Sequence, residues 1–155
     1  MKKPVWIIAI LFSTLLVGCS GDSQPNPTVP PQEPTHRIAG SQLPDSVGGY
    51  TAMGKPPKAE QLTATYVNDN QPLDLVVVTL DPSGEYGLVE LGDQQWYGTS
   101  RCGILWKGDP KSTPRTQQVA CITPLIDGVM TLVSGGTQSV EDIAQLATAM
   151  TETLA

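Results

Sequence analysis

Histidine is almost absent from this chain. The single one, His36, stands at the end of a proline-rich stretch, and there is no CxxC. A Ser-His-Asp or Cys-His nucleophile needs its histidine held beside it on a rigid scaffold. A structural zinc needs several Cys or His ligands. Neither chemistry has its parts here. GxSxG, SxxK and a Gly-rich loop closed by Lys-Ser/Thr are also missing, which removes the common hydrolase and phosphate-binding signatures. The carboxylates Asp69, Asp74, Asp81, Glu85, Glu90, Asp93 and Asp127 fall mostly in or beside turn-forming residues. Acid–base work needs a converging pair, whereas turn carboxylates are ordinarily solvated surface. Calcium at Asp81 and Glu85, or at Asp69 and Asp74, would lack the ligand spacing of a calcium loop. We therefore expect no enzyme activity, no cofactor and no metal. Charge and aromaticity are low too, at 15% and 5% of residues. What remains is rich in Thr, Gln, Gly and Ser and suits a β-built domain.

The N-terminus is the most specific part of the chain. Lys2 and Lys3 precede an apolar run over residues 5–17. As a helix its 13 residues would span only about 20 Å, against about 30 Å of bilayer hydrocarbon. A basic start, an apolar stretch and small residues at a cut site form an export signal. The run closes on Leu16-Val17-Gly18-Cys19, which resembles the lipobox of bacterial lipoproteins. That resemblance implies cleavage before Cys19 and a diacylglyceryl thioether on Cys19, completed by fatty acylation such as palmitate. One acyl chain gives marginal membrane binding and two give stable anchoring. The expected location is the extracytoplasmic face of the cell membrane, anchored by lipid. Loss of residues 1–18 removes Lys2 and Lys3, leaving 7 basic against 15 acidic residues, a net charge of −8. Such a surface repels phosphate backbones, so nucleic acid is not an expected partner.

Residues 19–42 read as the lipidated cysteine and a tether, with Pro25, Pro27, Pro30, Pro31 and Pro34 among polar residues. Such a segment has too little apolar surface to offset its ordering entropy. Residues 43–155 are long enough for one domain with one core. After Cys19 is set aside, Cys102 and Cys121 remain. In an oxidising compartment an even remainder argues for a disulfide. Metal ligation and a reactive thiol are the alternatives, and metal is weak without histidine or CxxC.

The pattern predicts a mostly antiparallel sheet with a C-terminal helix packed on it, an α+β fold. Residues 43–50, with a proline and two glycines, read as a turn. Residues 61–67 alternate as a strand, and 73–80, with Leu75-Val76-Val77-Val78, read as a central strand buried on both faces. The two are expected to pair as a hairpin. Residues 85–91 suit a short helix or another strand. Residues 95–107 read as extended, 108–112 as a turn, and 117–123 as a strand. Antiparallel pairing of 100–106 with 117–123 would set Cys102 and Cys121 in neighbouring strands. Asp127-Gly128 marks a hairpin leading into a last strand at 129–133. Ser139 and Asp142 form a capping-box pair ahead of the apolar stripe Val140, Ile143, Ala147, Met150 and Leu154, with Leu146 beside it.

Residues 43–154 also resemble an uncharacterised family of small exported or membrane-tethered domains known mainly from actinobacteria. The carrying residues are Leu43-Pro44-Asp45-Ser46-Val47-Gly48-Gly49, Gly98-Thr99-Ser100-Arg101-Cys102-Gly103, Cys121, and Ser139-Val140-Glu141-Asp142-Ile143-Ala144. The resemblance implies one disulfide and an α+β sheet with a C-terminal helix, and it implies no activity. Relatives often have a tryptophan after the second cysteine and an aspartate two residues on. Here Ile122, Thr123 and Pro124 stand instead.

Two binding roles follow. The first is a protein-interaction or scaffolding module at the cell envelope, with Trp96, Tyr97 and Trp106 as a possible aromatic hot spot and an envelope protein as partner. The same aromatics would also serve simply to cover the sheet. The second is a carrier of a small apolar ligand held between sheet and helix. Ala144, Ala147 and Ala149 argue for close packing there and against a large cavity.

Overall fold

The structure, a computed structural model, describes residues 32–107 and 116–155. Residues 1–31, with Cys19 and most of the tether, and the turn expected at 108–112 lie outside the described residues. Eight antiparallel strands form one sheet: β1 (Ser46–Val47), β2 (Tyr50–Ala52), β3 (Thr63–Asn68), β4 (Gln71–Asp81), β5 (Gly92–Tyr97), β6 (Ser100–Lys107), β7 (Thr116–Leu125) and β8 (Gly128–Ser134). Their order across the sheet is β1-β2-β3-β4-β8-β7-β6-β5. One helix, α1 (Val140–Thr151), follows β8. The α+β fold expected from sequence is the fold observed.

Period-two alternation builds the core. Ala64 and Tyr66 of β3, Val76, Val78 and Leu80 of β4, Met130 and Leu132 of β8, and the cysteines of β6 and β7 all point to one face. Side chains two apart in a strand share a face, so short runs of β-formers suffice to build it. α1 covers this face with Ile143, Leu146, Ala147 and Met150, each buried. It lies mainly against β6 and β7. Ala144 and Ala147 let it approach closely. Its start is fixed by the expected capping box: Ser139 Oγ accepts from the Asp142 N–H, and the Asp142 carboxylate accepts from the Ser139 N–H at 3.0 Å.

Cys102 and Cys121 are directly opposed in β6 and β7 and form a disulfide. Both are fully buried within the core under α1. The closed loop spans 19 positions. Restricting such a loop in the unfolded chain is worth about 3 kcal/mol.

The opposite face is only partly covered. Residues 82–91 fold back over β7 and β8, so that Leu91 packs on Ala120, Ile122 and Val129. Asp81 organises the return. Its carboxylate accepts from the Ser83 hydroxyl at 2.6 Å and from the Ser83 and Tyr86 N–H groups, and these bonds, the hydroxyl's above all, hold its pKa below the usual carboxylate range. Arg101 secures the same segment by donating to the Gly87 carbonyl at 2.8 Å. The segment crosses β6 at Gly103, where a Cβ would stand 3.1 Å from Leu91 Cβ and 3.2 Å from Gln94 Cα. No larger residue fits under that crossing.

Four elements differ from the sequence reading. Residues 43–50 hold a short hairpin, β1–β2, turned through Gly48 and Gly49 at φ 57° and 80°, the left-handed pair a two-residue hairpin needs. Among the described residues β4 is well covered on one face only: Val77 is 40% exposed and Leu73 89%, while the return segment packs over β7 and β8. Residues 85–91 form neither an α-helix nor a strand throughout; Glu85–Leu88 is a single 3-10 turn. Finally, the extended stretch at 95–107 is two strands, β5 and β6, joined at Gly98-Thr99.

Packing begins ahead of Leu43. Ile38 is buried in the main core. The Asp127 carboxylate, in the β7–β8 turn, accepts from the Ile38 N–H at 2.5 Å and the Ala39 N–H at 2.9 Å. Arg37 N–H donates to the Ala155 carbonyl and Ile126 N–H to the His36 carbonyl. The segment leading in from the tether is thus pinned at one pole, beside the end of the chain.

Candidate functional site

The pole across from that pin carries a cleft of about 480 Å³. The register fixes the separation. β4 and β8 run from Asp81↔Val129 at the pinned end to Val76↔Ser134 at the other, about 20 Å for the seven residues of β8. Beyond Ser134 the chain turns through Gly135 and Gly136 into α1. The cleft lies between the first two turns of that helix and the β1–β2 and β3–β4 turns.

Its lining is polar. Asn68, Asn70, Gln71, Gln138 and Gln145 contribute amides, Asp74 and Asp142 contribute carboxylates, and Leu146, Ala149 and the Tyr50 ring supply a small apolar wall. Among the described residues no Lys or Arg lines it. Each polar group has a structural reason for its place. Asn68 Oδ1 accepts from the Asn70 N–H at 2.9 Å and shapes the β3–β4 turn. Asp74 Oδ1 accepts from the Thr137 N–H at 3.1 Å and the Thr137 hydroxyl at 3.3 Å, tying the approach to α1 onto β4. Gly136 permits this: a Cβ there would overlap the Asp74 carboxylate and lie 2.9 Å from both Asp74 Cα and Gln138 Oε1. Gln138 is only 8% exposed. Its Nε2 donates to the Leu75 carbonyl at 3.5 Å, a long bond, and its buried Oε1 has no hydrogen-bond partner.

The aromatics singled out from sequence do not share a patch. Trp96 pairs with Arg101 and Tyr97 with Ser100, so alternation sends Trp96 to the face away from α1 and Tyr97 to the face beneath it. Tyr97 Oη donates to Glu141 Oε1 of the helix at 3.3 Å and to Gln95 Oε1 at 3.2 Å. Burial, followed by the Glu141 charge, pushes its pKa up. Trp106 is 51% exposed at the far end of β6, with its indole nitrogen beside Gly92. The His36 ring lies against its neighbour, with Thr35 Oγ1 3.0 Å from Nδ1. Among the described residues no three His, Cys, Asp or Glu side chains converge as metal ligands would, and no helix is long and apolar enough to cross a membrane.

Sequence reasoning missed the cleft. Asn68-Asp69-Asn70-Gln71-Pro72 reads simply as a loop, and Gln138 carries no sequence signal of its own. Their conjunction depends on the β3–β4 hairpin and the helix entry meeting at one pole. The signal available was the concentration of amides there. Comparison of the chain with protein-family models, curated proteins and solved structures finds no match in any of the three.

Proposed function

We propose that this chain is a lipid-anchored, extracytoplasmic module of the cell envelope that binds a partner and performs no catalysis of its own. The observation that carries the proposal is Leu16-Val17-Gly18-Cys19 at the end of a short apolar run, followed by a proline-rich segment. The pinned entry at His36–Ala39 supports it: a tether arriving at one pole leaves the opposite pole turned away from the membrane. The oxidised Cys102–Cys121 pair suits an exported protein. Trp106, half-exposed, is the aromatic best placed for contact with an envelope protein. A carrier of an apolar ligand has less support, because the cleft between helix and hairpins is walled by amides and carboxylates.

Replacing Cys19 tests the anchor. Cys19→Ala should leave the membrane fraction when expressed in a lipoprotein-processing bacterium, and the wild-type chain should show the mass of a diacylglyceryl thioether on Cys19. Undiminished membrane association of Cys19→Ala would overturn the proposal.

A further inference from the structure

We propose that the polar cleft beside the start of α1 binds a small, non-anionic ligand rich in hydrogen-bond donors, a neutral or amine-bearing sugar unit. The cleft's volume of about 480 Å³ falls within the range of small-molecule sites. Its chemistry narrows the ligand. Gln138 is more than nine-tenths buried, yet its Oε1 acceptor has no partner. Buried polar groups in folded proteins are nearly all paired; this Oε1 is closed off from solvent, so a turn of the Gln138 amide toward the cleft is what would present it to an incoming O–H or N–H. Asp74 stands beside it, both groups meeting at Gly136, and a carboxylate is another strong acceptor.

The rest of the lining fits the same ligand. The amides of Asn70 and Gln145 each offer both donors and acceptors, as a hydroxyl does. A ligand bearing several hydroxyls can pair with both kinds of group at once. Among the described residues, an anion would meet the Asp74 and Asp142 carboxylates with no Lys or Arg in the lining to offset them. An apolar ligand would desolvate the amides without replacing their hydrogen bonds. The Leu146 and Ala149 side chains and the Tyr50 ring provide a limited surface for the apolar C–H face of a sugar ring. This site does not depend on Cys19, so its failure and failure of the membrane anchor are separate results.

The test is a titration of the ¹⁵N-labelled full chain, purified in a sugar-free zwitterionic detergent and followed by amide chemical shifts. Glucosamine, glucose and glucuronate serve as probes, to about 50 mM, well above the millimolar Kd that a few hydrogen bonds support. Shifts from glucosamine and glucose are expected to concentrate in residues 68–71 and 137–145, with glucuronate binding at least about fivefold more weakly, the loss expected from about one unfavourable polar contact. Asn70→Ala and Gln145→Ala, both at exposed positions, should each weaken binding about fivefold. Gln145→Ala places a better helix former in α1, so loss of folding would not explain its effect. The proposal is overturned by an absence of shifts, by shifts centred elsewhere, by glucuronate binding as well as glucose, by affinities unchanged in both variants, or by shifts that require added calcium.

Discussion

Breaking the Cys102–Cys121 bridge should lower stability through the unfolded chain more than through the core. The bridge joins positions 19 apart, and a loop of that size loses about 11 cal/mol/K of conformational entropy in the denatured state, or about 3 kcal/mol at room temperature. In a domain of this length each kcal/mol moves the melting temperature by roughly 4 °C, so the oxidised protein should melt about 10 °C above the reduced one. Both sulfurs are fully buried, so reduction must be carried out in denaturant and followed by refolding under reductant. Circular dichroism melts of oxidised and reduced wild type would give the difference. Cys102→Ser should melt at one temperature with or without reductant, and below the reduced wild type because a hydroxyl replaces a thiol in an apolar site. An unfolded-state origin also predicts a steeper urea dependence for the reduced chain, which exposes more surface when unfolded. A wild-type difference of less than about 2 °C, or an unchanged urea slope, would refute the chain-entropy reasoning.

Three further outcomes are expected. Burial, with the Asp45 charge second, pushes the Tyr66 phenol up to about 12; a group with a raised pKa loses its contribution as pH rises from its unfolded value near 10. Tyr66→Phe should therefore flatten the alkaline limb of the pH–stability curve between about pH 10 and 12, and cost about 1 kcal/mol at neutral pH through the lost bond to the Pro44 carbonyl; an unchanged alkaline limb would count against it. The Ile38 and Ala39 N–H groups hold Asp127 below the usual carboxylate range, so its contribution is present above that range and is lost as pH falls through the lowered value. Asp127→Ala should speed hydrogen exchange at the Ile38 and Ala39 amides, and wild-type protection there would show that the clamp is idle. Ser139→Ala removes the cap of α1 and should cost about 1 kcal/mol in urea unfolding; a cost under about 0.3 kcal/mol would place the helix's stability wholly in its packing.

The fold was largely legible because most of its signals are local. The stripe from Val140 to Met150 and the Ser139–Asp142 pair needed no tertiary knowledge and stand as read; Leu154, read as its continuation, is buried but lies past the helix end at Thr151. The β3–β4 hairpin, the pairing of 100–106 with 117–123 and the β7–β8 turn were equally visible. The misreadings come from context. Leu75-Val76-Val77-Val78 has the composition of a strand buried on both sides, but cover on the face away from α1 comes from residues 82–91, whose path hangs on Asp81 and Arg101. The β5–β6 turn was missed although Gly98-Thr99 has the glycine-first form of a two-residue hairpin; the apolar residues on either side read as one continuous stretch. The strand read over 117–123 runs on through Pro124 to Leu125. The cleft was least legible, since its amides come from turns that are far apart in sequence.

The pin at His36–Ala39 has a mechanical consequence. If the proposed lipid anchor is in place, a pull on it would enter the domain beside the β7–β8 turn, and a partner held at the opposite pole would resist it. The line of force then runs along β4 and β8. Antiparallel ladder bonds lie perpendicular to their strands, so this direction loads the β4–β8 rungs together in shear and does not peel them one at a time. The two Asp127 bonds to Ile38 and Ala39 lie ahead of the sheet on that line. The His36–Ile126 and Arg37–Ala155 backbone bonds lie ahead of them, so the pin would yield residue by residue, lengthening the leash before the sheet is loaded.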